Sequence, residues 1–136
     1  MTIETHVTID GHSRIDFDRK RVRKAMRKAG ADVRKEARRL VARRAVSEAG
    51  QNPGRDSGVL WRSIKATVSK SGFMVKIRPE KTTDMGADFY PAFLHYGVKG
   101  RIEPRANYME DAMEKRRAAA QSAIHSALID SLVPRK

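Results

Sequence analysis

The residues able to do chemistry are few and poorly spaced for it. The 4 histidines, His6, His12, His95 and His125, form no HxH, HxxH or HExxH spacing, so a metal site would need ligands from distant parts of the chain. Each reads more plainly as a surface or core histidine. The stretch Gly54-Arg55-Asp56-Ser57-Gly58 holds glycines and a serine, but it lacks the spacing and the lysine of a phosphate-cradling loop. Nor is it a Gly-x-Ser-x-Gly elbow, and it reads as a turn. Two carboxylate pairs occur, Asp16 with Asp18 and Glu110 with Glu114; the second pair stands one helical turn apart and faces water. Acid–base and nucleophilic catalysis need partners within hydrogen-bond reach of one another, and no such constellation is spelled out here. The sequence contains no cysteine, which removes disulfides, thiolate chemistry and cysteine-ligated zinc. No catalytic residue, cofactor or metal ligand is expected, and the chain is read as a non-enzyme.

The charge carries more information. The net charge is +13 over 136 residues, and between Phe17 and Val46 thirteen Lys or Arg face three acids, Asp18, Asp32 and Glu36. One segment therefore holds a surplus of ten, and the rest of the chain is nearly balanced. Arg23, Arg27, Arg34, Arg38 and Arg39 belong to this segment. Cations on the outer face of a helix can neutralise phosphates. No helix-turn-helix, zinc-finger or RNP signature accompanies them, and no aromatic residues are interleaved for base stacking. A solvated face that pairs with acidic neighbours in an assembly is the competing reading. The apolar side of the segment is mostly Ala and Val, which argues against a membrane-surface helix. No stretch approaches the roughly 18 apolar residues of a membrane span. The N-terminus lacks the basic start and apolar run of a signal peptide, so a soluble protein made in the cytoplasm is expected.

The elements that must position these residues follow from periodicity. One domain over 1–136 is expected, with 1–14 as an N-terminal arm or short strand (β-branched residues at 2–9) and 129–136 as a flexible tail. From Phe17 to about Val46, the residues Val22, Met26, Ala29, Val33, Ala37, Leu40 and Val41 recur at helical steps. Asp16 or Asp18 would cap this helix, and Gly30 interrupts it and allows a bend. Gly50-Gln51-Asn52-Pro53-Gly54 ends it. A short helical turn at Asp56–Ile64 leads into two alternating runs. Ile64, Ala66 and Val68 form the first buried set, and Phe73, Val75 and Ile77 the second, around Lys70-Ser71-Gly72, as in a β-hairpin. Residues 79–87 read as an exposed polar loop, and 88–97 as an aromatic patch. A second helix runs from about Asn107 to Leu132, with Met109, Ala112, Met113, Ala120, Ala123, Ile124, Ala127 and Leu128 on one face and Pro134 as its stop. The expected class is α+β, with long N- and C-terminal amphipathic helices packed on a small antiparallel sheet containing the hairpin. Such a subunit would be flat and wedge-like.

Three blocks, in order, resemble the tail-completion and neck proteins of tailed bacteriophages, also described as head–tail joining, minor tail or virion morphogenesis proteins. The family pattern has a proline loop running into Thr-Gly-x-Leu-x-x-Ser-Ile, which reads here Pro53 through Ser57-Gly58-Val59-Leu60-Trp61-Arg62-Ser63-Ile64. A Tyr-Ala-x-x-x-Glu-Tyr-Gly-Thr element follows the hairpin, here Tyr90-Pro91-Ala92-Phe93-Leu94-His95-Tyr96-Gly97-Val98. A Pro-x-x-Phe-x-x-x-Ala lead into the last helix corresponds to Pro104 through Tyr108 to Ala112. The resemblance covers roughly residues 15 to 130. Ser57 replaces the usual Thr, His95 an acid and Val98 a Thr, while Tyr108 takes the aromatic place.

The resemblance implies a structural virion protein that forms a homo-oligomeric ring, of six copies, in the neck. There it would complete the tail and join it to the head connector. Its partners would be the connector or head-closure, tail-terminator and tail-tube proteins, with contact to genomic DNA in the channel as a further possibility. Its site would be the virion, after synthesis in the bacterial cytoplasm. The polar loop and both chain ends would order on assembly. Charge reversal at Arg34, Arg38 and Arg39 would block assembly and leave the fold intact. The alternative is a small basic protein that binds nucleic acid non-specifically through the Phe17–Val46 helix.

Overall fold

In the computed structural model the described residues are 2–7, 15–41, 47–55 and 57–134, and Asp18 opens the first of two long helices. Its carboxylate accepts from the amides of Lys20 (3.1 Å) and Arg21 (3.3 Å), which would otherwise lack partners at the start of a helix. Helix α1 spans Arg19–Leu40 and is followed by Val41, whose amide donates to the Ala37 carbonyl. Residues 42–46, the expected end of this helix, lie outside the described residues. Val22, Met26, Ala29, Val33 and Ala37 are buried as their spacing requires.

The short helix α2 (Val59–Ser63) runs directly into strand β2 (Ile64–Val68), which pairs antiparallel with β3 (Val75–Pro79). The register sets Ile64 against Pro79, Ala66 against Ile77 and Val68 against Val75. A 3-10 turn at Thr83–Met85, helix α3 (Tyr90–Tyr96) and helix α4 (Tyr108–Asp130) complete the order. Four helices, two of them long, accompany the hairpin in an α+β fold. Helix α1 packs against both the hairpin and α4.

Several details differ from the sequence expectation. Residues 2–7 join no strand, and 8–9 lie outside the described residues. Strand pairing falls instead to β1 (Ile15–Phe17) and β4 (Leu132–Pro134), in register Ile15 to Pro134 and Phe17 to Leu132. The expected flexible tail is thus helix through Asp130 and then strand through Pro134. Ser131, fully buried, makes this turn: its amide donates to the Ala127 carbonyl (2.9 Å) and its hydroxyl to the Leu128 carbonyl (2.8 Å). Its own carbonyl accepts from the Asp18 amide at 2.8 Å, which ties the end of α4 to the start of α1. The helix is therefore stopped by Ser131, ahead of Pro134.

Gly30 lies inside a helix that runs unbroken from Arg19 to Leu40. It is buried, and a Cβ there would stand 2.6 Å from Cγ2 of Val75, so the missing side chain lets the hairpin approach the helix closely. Phe73, expected in the buried set, is 49% exposed, because the strand begins only at Val75 and Phe73 stays in the turn. Within the loop at 79–87 the Lys81 ammonium donates to the Ala87 carbonyl at 2.9 Å, and the Glu80 amide ties the start of the loop to the Ser63 carbonyl at 2.9 Å. In α4 only Tyr108, Ala112 and Ala120 are buried, and Ala123 faces outward.

One buried acid joins the two long helices. Glu36 of α1 is 4% exposed and accepts from Arg39 at 2.6 Å, while Arg116 (3.4 Å) and Lys115 (3.7 Å) reach it from α4. The Arg39 hydrogen bonds, outweighing the opposing effect of burial and aided by the charges of Arg39 and Lys115, lower its pKa to about 2. Long cationic side chains shield the carboxylate, rather than a deep apolar core.

Candidate functional site

The three motif blocks, far apart in sequence, meet around one core. Val33 and Ala37 from α1 and Val41 just beyond it pack with Leu60, Ile64, Leu94, Tyr108 and Ala112. Leu60 is 2% exposed, and Ser63 and Ile64 are fully buried. The Ser63 hydroxyl donates to the Leu60 carbonyl at 2.7 Å, so this small polar residue is satisfied inside the core. Burial, then the neighbouring Tyr90, pushes the Tyr108 phenol above its ordinary pKa.

Backbone hydrogen bonds stitch the blocks together. The Gly50 amide donates to the Pro104 carbonyl (3.1 Å) and the Ala106 amide to the Gln51 carbonyl (2.9 Å), clamping the loop beside buried Pro53 to the loop before α4. The Arg105 amide donates to the Leu94 carbonyl at 2.8 Å, and its guanidinium donates to the Ser47 hydroxyl at 2.8 Å. Gly97 has φ 74°, and a Cβ there would meet the Ile102 carbonyl oxygen at 2.7 Å and Pro104 Cδ at 2.9 Å. Its place in the block is thus a steric requirement of the turn joining α3 to the Pro104 loop. Gly58, with φ 77°, starts α2, and the Ser57 hydroxyl accepts from the Val59 amide at 3.4 Å. Asn107 and Glu110 cap α4: the Asn107 side chain accepts from the Glu110 amide (3.3 Å) and donates to its carboxylate (3.0 Å).

The aromatic residues of the second block divide. Pro91 and Leu94 face inward and Tyr90 is half-buried, whereas Phe93 is 36% and Tyr96 77% exposed. Phe93 and Tyr96 therefore lie outside the buried core. The inward positions of this short helix are Pro91 and Leu94, and Phe93 and Tyr96 fall on the other side. Tyr96 and exposed Phe89 rim an open cleft of about 790 Å³, whose walls include Ile77, Arg78, Pro91 and Tyr108, whereas Phe93 lines a second cleft with Tyr90 and Leu60.

The basic segment divides as well. Arg39 turns to Glu36, and Arg38 is a packing residue: it donates to the Ile64 carbonyl (3.0 Å) and lies 4.4 Å over the Trp61 ring. Charge reversal at Arg38 or Arg39 would accordingly strike the fold, against the expectation that it would spare it. Arg55 also lies 4.4 Å over Trp61. Arg23, Arg27 and Arg34, at helical steps with Arg38, border two adjoining grooves beside β2.

Trp61 as an arginine platform, Glu36 as the inter-helix tie and Leu94 as core were not singled out from sequence. Signals existed for two of them. Glu36 stands between Val33 and Ala37, within the apolar arc of α1, and Trp61 is the chain's one tryptophan. Among the described residues no group of three or more His, Asp or Glu is placed to hold a metal, and no helix is long and apolar enough to cross a membrane. His95 stacks edge-on against Tyr96, ring centroids 4.6 Å apart, and His6 lies 3.8 Å from Glu4 at the surface. No protein-family model matches the chain, and neither a curated protein nor a solved structure matches it.

Proposed function

We propose that this chain is a structural subunit of a tailed-phage virion, forming a homo-oligomeric ring in the neck that completes the tail and joins it to the head connector. The observation that carries this reading is the division of the motif residues. One set, Leu60, Ile64 and Tyr108, joins a single core, with Pro53 and Ser63 buried as well, while Tyr96 stands exposed with Phe89 along one open cleft and Phe93 is exposed on a second. Exposed aromatic residues gathered on one surface mark a protein contact. A contact between unlike surfaces of identical subunits closes into a ring when the rotation allows it. The subunit does no chemistry in this role; its partners are its own copies, the connector or head-closure protein, the tail terminator and the tail tube.

Light scattering and negative-stain microscopy of the purified protein, alone and with the connector, test this reading. A closed ring that is lost in Tyr96→Ser, with unchanged thermal stability, is the expected result. A monomer under both conditions contradicts it.

A further inference from the structure

Helix α1 carries two kinds of cation. Arg39 is committed to Glu36, and Arg21 lies 3.9 Å from Asp18. Arg23, Arg27, Arg34 and Arg38 stand at steps of four, seven and four, which puts them on one narrow flank of the helix, the flank beside β2. Among the described residues none of these four, nor Arg55, has an ion pair. The flank borders two clefts of about 360 and 520 Å³; the first also touches Ala66, Thr67 and Val68, and the second Lys35, Arg55 and Trp61. Among the described residues, Asp32 is the only carboxylate lining either. Arg38 is held within the subunit at the inner end of this flank, its Nε buried while the guanidinium donates to the Ile64 carbonyl and lies over Trp61. Burial and the charge of nearby Arg34 both lower its pKa.

We infer that this flank is a binding groove for the phosphodiester backbone of double-stranded nucleic acid. Three of the arginines, Arg23, Arg27 and Arg34, over twelve helical residues extend about 17 Å, which spans roughly five phosphates of one strand at 3.4 Å each. Guanidiniums match phosphate oxygens with paired hydrogen bonds and stay charged when partly desolvated. The regular spacing along a rigid rod suits a regular polyanion better than an irregular acidic peptide. Trp61 already carries two guanidiniums, so it is no platform for an unpaired base. The groove holds backbone and reads no sequence. This inference stands apart from the ring assignment, since it concerns the isolated subunit.

Fluorescence anisotropy of a short labelled duplex, titrated with purified protein at several salt concentrations, tests it. With about three phosphates neutralised, log affinity falls against log salt with a slope near −2.7. The double variant Arg27→Gln/Arg34→Gln removes two contacts, and the slope falls by about 2. Affinity drops at least tenfold, and the circular dichroism spectrum is unchanged. Lys99→Gln/Arg101→Gln, the same charge change on exposed residues outside the groove, leaves both quantities nearly as they were. Equal losses in the two variants would reduce the effect to net charge and overturn the inference. Tighter binding of a polyglutamate peptide of matched charge would overturn it in favour of an acidic protein neighbour.

Discussion

The carboxylate of Glu36 in α1 lies 3.4 Å from the guanidinium of Arg116 in α4, and it is the described contact in which a buried charge spans the two long helices. Arg39 and Lys115 crowd the same oxygens. The helices run antiparallel, so Glu36 near the end of α1 meets the first turns of α4, while the Asp18–Ser131 hydrogen bond holds their other ends. Two polar ties at opposite ends fix the sliding register of a helix pair whose apolar seam is made largely of small residues.

The sign of the Glu36 shift sets a pH dependence. Its folded-state pKa, about 2, lies below the ordinary value of 4.5. The stabilisation is therefore complete above pH 4.5 and is lost as pH falls from there towards 2. Because the cluster is close to solvent, water screens much of it, and a contribution on the order of 1–2 kcal/mol is expected. Urea melts of the parent and of Glu36→Gln should differ by that amount at pH 7 and converge near pH 2; a constant difference at every pH would refute the assignment.

Gly30→Ala sets two effects against each other. Ala is favoured in a helix interior by about 1 kcal/mol, but its Cβ would stand 2.6 Å from a Val75 methyl that a stiff β-branched side chain cannot move away. Overpacking of this kind costs about 1–3 kcal/mol. A net loss of roughly 1 kcal/mol follows from these values, and it should shrink or change sign in a Val75→Ala background. Thermal melts of the four combinations measure this coupling directly.

Gly97→Ala should be more damaging. The residue combines φ 74° with backbone oxygen 2.7 Å from the added Cβ, and neither problem is relieved by moving a side chain. A loss of about 2–3 kcal/mol is expected. Chemical denaturation would show it, and Gly100→Ala supplies the comparison: a similar φ of 74° with nothing within 4 Å. If the two variants lose equally, the close approach to Ile102 is not what the position requires.

Tyr96 should behave in the opposite way. At 77% exposure its ring adds little to the fold, and Tyr96→Ser should alter stability by no more than about 0.5 kcal/mol. If the exposed aromatic face is a subunit contact, the same variant should fail to complement virion assembly. A stable protein that still complements would remove Tyr96 from the contact.

The long helices were legible because the apolar period in Val22–Val41 is continuous and Asp18 and Asn107 are strong capping residues. The hairpin was legible from alternation around Gly72. Pairing of Ile15–Phe17 with Leu132–Pro134 was not, since it joins segments more than a hundred residues apart and neither has a distinctive pattern. Gly30 was ambiguous because a glycine in a helix signals a bend as readily as a close approach, and only Val75 across the interface decides. The same limit applied to the candidate site. Sequence placed Arg23 to Arg39 on one helix, but which arginines are spent inside the subunit depended on Glu36, Ile64 and Trp61. The aromatic block was visible, whereas its division into an inward Leu94 and an outward Tyr96 needed the placement of α3.

The most direct test of the neck assignment is electron microscopy of lysates from a phage carrying a stop codon in the reading frame for this chain. The account predicts DNA-filled heads and finished tails lying apart, rejoined into infectious particles when the purified protein is added. Intact virions in normal numbers would contradict it.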